Sequence, residues 1–155
     1  MYTLIVYDSI HGNTKQIADE IRKQFDPQTT ASIHVSKMDQ VDLAQVDLLL
    51  VGSPTHGGTA TKSVLAWLKS IPTDGLLGKK VAAFDTRLPE KEQRFPLRLL
   101  MKIIDYAAPK IETLLVEKGG ISITRPRGFF VITKEGPLKA HELEQAAAWV
   151  KSLCR

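Results

Sequence analysis

The chain has 155 residues, the length of one globular domain, and its 43% apolar and 25% charged residues are ordinary for a folded protein. This composition excludes a disordered chain, and no apolar run approaches the ~20 residues of a membrane-spanning helix. The net charge of +4 combines a net −2 over residues 1–75 with a net +6 over residues 76–155. No basic stretch is interleaved with aromatic residues, so neither nucleic acid nor a membrane is an expected partner.

The compartment and several kinds of chemistry can also be inferred from single residue types. The one cysteine, Cys154, can form neither an internal disulfide nor a cysteine metal site, which fits a reducing cytoplasm. The first residues are strand-like and lack a basic segment, so we expect no signal peptide. The histidines are scattered and no carboxylates pair at a convincing spacing. We therefore expect no metal site and no acid–base catalytic residue.

Five strand-like apolar runs alternate with helix-like runs along residues 1–155, which form one predicted domain. The strand runs cover residues 2–7, 31–35, 47–51, 80–84 and a split last run, 120–123 with 128–132. Residues 125–128 are the predicted break in that last strand. Near-continuous apolar runs are typical of strands buried on both faces, as in parallel sheets.

The helix-like runs show apolar stripes at helical spacing. They cover residues 17–25, 64–71, 97–104 and 143–153, and the third, interrupted near Pro109, resumes over 111–115. Asn13 is the predicted N-cap of the first helix, with Gln16 three residues later as in a capping box. Strands alternating with helices predict right-handed crossovers and a doubly wound α/β fold, with helices on both faces of a parallel sheet.

The turn between the first strand and the first helix has the composition of an anion site. It reads Ser9, Ile10, His11, Gly12, Asn13 and Thr14. Backbone N–H groups at a helix start have no partner within the helix, and the helix dipole favours negative charge there. Gly12 lets the backbone approach a ligand closely, while Ser9, Asn13 and Thr14 add side-chain hydrogen bonds. A phosphate is the predicted occupant, although the residues alone also fit a simple helix cap.

Two further turns follow the third and fourth strands. The first contains Ser53, Pro54, Thr55, His56, Gly57 and Gly58, and the second contains Asp85, Thr86, Arg87 and Leu88. Ligands of open parallel sheets bind beyond the carboxyl ends of the strands, where the strand order reverses. Three such turns at one edge therefore predict a single binding site, and each turn alone would be weak evidence.

With these motifs and this element order, the chain resembles the flavodoxin family of short-chain type. The resemblance implies a five-stranded sheet in the order 2-1-3-4-5 with FMN at the switch point. It implies that the first turn holds the FMN phosphate and that the other two flank the flavin ring. Flavodoxins stack aromatic side chains on that ring, whereas the second and third turns here offer only His56 and Leu88. Ile10 stands where the family has a hydroxyl-bearing residue.

The resemblance implies an electron carrier that moves electrons between redox proteins. Backbone N–H groups of the Gly57–Gly58 and Asp85–Thr86 segments are predicted to bond the ring, and Arg87 to stabilise the reduced flavin. A basic rim, formed by Arg87, Lys91, Arg94 and Arg98, is predicted to dock an acidic redox partner or to capture the phosphates of a nicotinamide cofactor. Two alternatives stay open: an FMN-dependent oxidoreductase that acts directly on a quinone or small substrate, and a module without cofactor that binds a partner.

Overall fold

Helices and strands alternate along the part of the chain that a computed structural model describes, residues 1–89 and 106–154. The strands are β1 (Thr3–Tyr7), β2 (Thr30–His34), β3 (Leu48–Pro54), β4 (Lys80–Arg87), β5 (Ile121–Ser122) and β6 (Arg127–Phe130). The helices are α1 (Asn13–Arg22), α2 (Lys62–Ser70), α3 (Ala107–Glu117) and α4 (Glu142–Leu153). Two 3₁₀ helices, Val35–Gln40 and Leu43–Gln45, connect β2 to β3. The predicted stripe at 97–104 lies outside the described residues.

The sheet is parallel and has the strand order β2-β1-β3-β4-β5, which confirms the predicted order. Both β5 and β6 pair with β4, the former beside Lys80 and Val81 and the latter beside Phe84–Arg87. They are two segments of one interrupted edge strand, as the split apolar run predicted. The break lies two residues earlier than predicted, at 123–126 instead of 125–128, because β5 ends at Ser122 and Arg127 and Gly128 already belong to β6.

Each face of the sheet has its own apolar core, because successive strand residues point to opposite sides. On one face Leu4, Val6 and Leu49 pack against α2 and α3. On the other face Ile5 and Phe84 pack against α1 and α4, with the rings of Phe84, Phe129 and Trp149 meeting edge to face. The helices therefore cover both faces, as predicted. Among the described residues, no helix is long and apolar enough to cross a bilayer.

The third and fourth strands extend further than their apolar runs. Pairing continues through Ser53 with Asp85 and Pro54 with Thr86, and β6 pairs with β4 up to Arg87. The prediction of loops at 53–54 and 85–87 is therefore wrong: these residues are strand residues. Their polar side chains are tolerated in buried positions because each has a partner: the Ser53 hydroxyl donates to the Pro54 carbonyl, Asp85 pairs with Arg87, and the Thr86 hydroxyl bonds that of Thr14.

Candidate functional site

A cavity of about 530 Å³ opens at the carboxyl edge of the sheet, within the size range of small-molecule and cofactor sites. Thirteen of the sixteen predicted site residues line it: Ser9, Ile10, His11, Asn13, Thr14, Pro54, Thr55, His56, Gly57, Gly58, Thr86, Arg87 and Leu88. The lining also includes three residues that the sequence analysis missed, namely Tyr106, Val131 and Lys134. The three turns thus meet at one site.

One end of the cavity is the turn between β1 and α1. Gly12, the N-cap residue of α1, has a φ of 86°, a left-handed conformation that glycine adopts without strain. The amides of residues 10–14 have no acceptor within residues 1–89 and 106–154, whereas Lys15 N–H donates to the Ser9 hydroxyl at 3.2 Å. No acidic residue lies in the first turn of α1. This turn is therefore a cluster of donors suited to an anion.

The carboxylate of Asp8 connects this turn to two other segments of the chain. It accepts the Ser9 amide at 2.8 Å and the Thr61 hydroxyl at 2.6 Å, and it lies 3.0 Å from His34 Nε2. Thr61 is the N-cap of α2, and its amide donates to the Ser53 hydroxyl at 3.0 Å. One carboxylate thus connects the first turn to the residues that follow the second turn.

The predicted capping role of Asn13 is wrong. The α-helix begins at Asn13 after the N-cap Gly12, and the N-cap has no side-chain hydrogen bond. The Asn13 side-chain amide instead donates to the Glu135 carbonyl at 3.1 Å. Because the left-handed Gly12 is the N-cap, Asn13 lies inside the first turn of α1. The Asn13 side chain can therefore hydrogen-bond a residue that is distant in sequence.

The second turn is a tight hairpin. His56 and Thr59 exchange backbone hydrogen bonds of 2.8 and 3.2 Å, with Gly57 and Gly58 between them at φ values of 57° and 75°. Two positive φ values are the signature of a type I′ turn, which favours glycine at both positions. Ser53 lies below this turn, fully buried, and does not line the cavity.

The third segment is built around a buried ion pair. Asp85 is fully buried, and its two carboxylate oxygens lie 2.7 Å from Nε and Nη2 of Arg87. It also accepts the Ala108 amide, at the start of α3, at 2.8 Å. Burial raises the pKa of Asp85, and the Arg87 guanidinium and the Ala108 amide act against that rise. Asp85 is not among the residues that line the cavity, and its predicted contact with the ring stays a prediction.

Arg87 lines the cavity but does not form part of a surface rim. Its side chain is only 16% exposed, and its guanidinium carbon lies 3.7 Å from the centre of the Tyr106 ring. A Cβ on Gly128 would lie 2.2 Å from Arg87 Nε, so β6 leaves room for the guanidinium only because that residue is glycine. The other residues of the predicted rim, Lys91, Arg94 and Arg98, lie outside the described residues.

Tyr106 supplies the aromatic ring that the two turns lack. It precedes α3, whose first amides donate to Thr55 and Asp85 at the carboxyl ends of β3 and β4. Pro109 lies in the first turn of α3, where its missing N–H has no cost, so the predicted interruption is a helix start. A proline in a first turn is a sequence signal for the start of α3, but it does not reveal that the residue before the helix reaches the cavity.

The fold and the cavity define an α/β protein of flavodoxin-like architecture, with a ligand site at the switch point of the sheet. The sequence model of a family described as "Flavodoxin domain" matches residues 4–112. The chain therefore belongs to the flavodoxin-domain family.

Solved structures agree with this assignment at the level of the fold. Oxidised Flavodoxin 2 from Bacillus cereus is 22% identical, with a TM-score of 0.77 over 99% of this chain and 98% of that chain. Flavodoxin 1 from the same organism is 18% identical, with a TM-score of 0.74 over 99% and 97%. Rubredoxin oxygen:oxidoreductase from Desulfovibrio gigas is 19% identical, with a TM-score of 0.69 over 99% of this chain and 35% of that chain. A comparison with curated protein sequences finds no match.

Proposed function

We propose that this chain binds FMN in the cavity at the carboxyl edge of the sheet and carries electrons between redox proteins. The observation that supports this most strongly is the polarity of the cavity. One end presents main-chain donors with no acceptor among the described residues, and the other presents Tyr106 and Leu88. A ligand with a phosphate at one end and a flat ring at the other matches both ends.

The phosphate is assigned to the turn at 9–14. The amides of residues 10–14 donate to it, and the α1 dipole favours its charge. The Ser9 hydroxyl accepts the Lys15 amide, which leaves its proton for the phosphate. Ile10 has no hydroxyl, but donation from the main chain does not depend on its side chain. His11 lies beside these donors and lines the same cavity.

The flavin ring is assigned to the space between the second turn and the end of β4. His56, Gly57 and Gly58 border one side of it, and Thr86, Arg87 and Leu88 border another. Tyr106 contributes an aromatic surface, and aromatic contacts of this kind are worth about 0.5–1.5 kcal/mol beyond area burial. Backbone donors of the Gly57–Gly58 turn border the polar edge of the ring, whereas the Thr86 backbone is paired with β3 and β6 within the sheet.

FMN supplies the redox chemistry when it is bound, and the protein supplies position and electrostatics. Among the described residues at the β4 end of the cavity, Arg87 is a cation that lines the ring space, fixed by Asp85 on one side and Tyr106 on the other. Its charge favours an electron-rich reduced flavin. Electrons are proposed to pass to or from an acidic redox partner that docks near Lys91, Arg94 and Arg98. Its test is the ionic-strength dependence of partner reduction rates.

The test of FMN binding is the visible spectrum of the purified protein, followed by titration of the flavin-free protein with FMN. We expect flavin bands and saturation at one FMN per chain. Tyr106→Leu should weaken binding of both FMN and riboflavin by a similar factor, because both have the ring. A colourless protein that FMN does not saturate at large excess would contradict the proposal and favour a module without cofactor.

An oxidoreductase that acts directly on a small substrate is separated from a carrier by turnover. We expect the FMN-loaded protein to show almost no steady-state reduction of a quinone with a nicotinamide donor. Turnover comparable with that of a dedicated quinone reductase assayed alongside would contradict the carrier role while leaving FMN binding intact.

A further inference from the structure

A hairpin that follows β6 borders the cavity beside the start of α1, with Val131 and Lys134 among the lining residues. Its strands meet where Ile132 N–H donates to the Pro137 carbonyl and Lys139 N–H to the Phe130 carbonyl, both at 2.9 Å. It is joined to the sheet because Val131 N–H donates to the Arg87 carbonyl, also at 2.9 Å. Residues 130–139 are called the closing hairpin below. Its position is therefore set by the sheet and by its own ladder.

The tip of the closing hairpin rests on the start of α1. Asn13 donates its side-chain amide to the Glu135 carbonyl at 3.1 Å. A Cβ on Gly136 would lie 2.6 Å from Asn13 Oδ1, so the approach is as close as a glycine allows. Gly136 N–H also donates to the Thr133 carbonyl, which fixes the tip. Residues 133–136 thus lie directly beside the turn that presents the unpaired amides.

Lys134 is the exposed cation that this tip brings to the cavity. It lines the cavity together with Ser9 and His11. It has no ion pair with any residue of 1–89 and 106–154. Lys15, the lysine nearer in sequence, instead pairs with Asp19 at 2.5 Å along α1. Of these two lysines, the one that lines the cavity therefore belongs to the hairpin and not to the helix.

We propose that Lys134 is the cation that pairs with the FMN phosphate, and that it makes the site prefer FMN over riboflavin. This inference rests on the proposed function. The flavin phosphate is close to a dianion at neutral pH, and main-chain amides alone leave most of its charge uncompensated. Lys134, on a hairpin that is bonded to the start of α1, supplies positive charge to the phosphate without belonging to the turn at 9–14.

The test compares Lys134→Gln with Lys139→Gln, which removes the same charge from the same hairpin at a residue that does not line the cavity. FMN and riboflavin are titrated into each flavin-free variant at low salt. We expect Lys134→Gln to weaken FMN binding about tenfold, the range of one hydrogen bond to a charged group. Riboflavin affinity should be unchanged, and Lys139→Gln should match the wild type.

Salt and pH give an independent readout of the same pair. The ratio of FMN affinities between wild type and Lys134→Gln should shrink between 20 mM and 500 mM salt, because exposed charges are screened. It should also shrink below pH ~6, where the phosphate takes up a proton.

Equal FMN affinity in wild type and Lys134→Gln would overturn the inference while leaving the proposed function in place. An equal loss of FMN and riboflavin would also overturn it, since the effect would not depend on the phosphate. Failure of the wild type to bind FMN would instead contradict the proposed function itself.

Discussion

The two ends of the cavity are built in different ways. The phosphate end is a short local segment, in which one left-handed glycine exposes a run of main-chain amides. The end at β4 is assembled from segments that are far apart in sequence. Asp85 and Arg87 come from β4, Tyr106 precedes α3, and Gly128 on β6 leaves room for the Arg87 guanidinium. The first depends on backbone conformation and the second on packing and buried charge.

This difference indicates which changes each end can tolerate. At the phosphate end, most side chains can change because the donors belong to the backbone. At the β4 end, each side chain supports another, so removing one leaves a buried group without its partner. Substitutions should therefore be costlier at the β4 end, and the predictions below test that order.

The largest effect is expected for Arg87→Met. It leaves the buried Asp85 carboxyl without its guanidinium, and breaking a buried pair typically costs about 3–5 kcal/mol of the free energy of unfolding at neutral pH. Urea denaturation measures this loss. The double variant Asp85→Asn with Arg87→Met should recover much of it, because the amide oxygen can still accept the Ala108 amide.

The loss in Arg87→Met should also grow with pH. Since burial raises the pKa of Asp85, its carboxyl releases its proton at a higher pH in the folded state than in the unfolded state, where release is centred near pH ~4. Stability from this group is complete below that pH and is lost as pH rises toward the folded-state pKa. Without Arg87 the folded-state pKa of Asp85 rises further, so the pH range over which stability is lost becomes wider. Equal destabilisation at pH 4.5 and pH 7.5 would be inconsistent with this account.

A smaller loss is expected for Gly128→Ala at the same end. The added methyl group would overlap Arg87 Nε, and overpacking of this kind costs about 1–3 kcal/mol. Combining Gly128→Ala with the Asp85→Asn, Arg87→Met pair provides the control, because a different side chain at 87 removes the specific collision. If Gly128→Ala were equally destabilising in both backgrounds, Arg87 would not be the group that requires the glycine.

At the phosphate end, Gly12→Ala should cost about 1–2 kcal/mol through backbone strain alone. An added Cβ meets nothing within 4 Å, so no collision contributes. Gly12→Asn is the matched control, because asparagine adopts the left-handed conformation more readily than alanine and should be less destabilising. Thermal or urea unfolding of both variants decides the point, and a larger loss in Gly12→Asn would indicate a steric cause.

The smallest effect is expected where the two ends touch. The Thr14 and Thr86 hydroxyls lie 2.8 Å apart in a buried position. Thr14→Val leaves the Thr86 hydroxyl without this partner and should cost about 1 kcal/mol. The double variant Thr14→Val with Thr86→Val should be less destabilised than the sum of the two single variants. Strict additivity in the double-mutant cycle would show that the two hydroxyls do not interact.

The fold was predictable because its signals are local and repeated. Apolar runs such as residues 47–51 identified the buried strands, and their alternation with helical stripes predicted the layered parallel sheet. The turn at 9–14 was found for the same reason, since a glycine between a strand and a helix is visible in the sequence. The strand ends were predicted less accurately, because charged residues such as Asp85 and Arg87 are typical of loops unless their pairing with each other is known.

The rest of the cavity depends on contacts between distant residues. Tyr106 reaches the cavity because the α3 amides bond Thr55 and Asp85, which no spacing in the sequence reveals. Lys134 reaches it because Asn13 holds the Glu135 carbonyl, across a sequence separation of 122 residues. Asn13 itself was assigned to a cap because capping is its commonest local role. Its long-range bond depends on the left-handed Gly12, and that conformation was not part of the prediction.

The Thr14 and Thr86 hydroxyls have a property that neither has alone. Each oxygen carries one proton, and only one of the two protons can lie between them. The second proton points away from the pair. Exchanging the roles of donor and acceptor requires only rotation about the two Cβ–Oγ1 bonds. The hydroxyl pair beside the cavity can therefore reverse its direction of donation without the movement of any heavy atom.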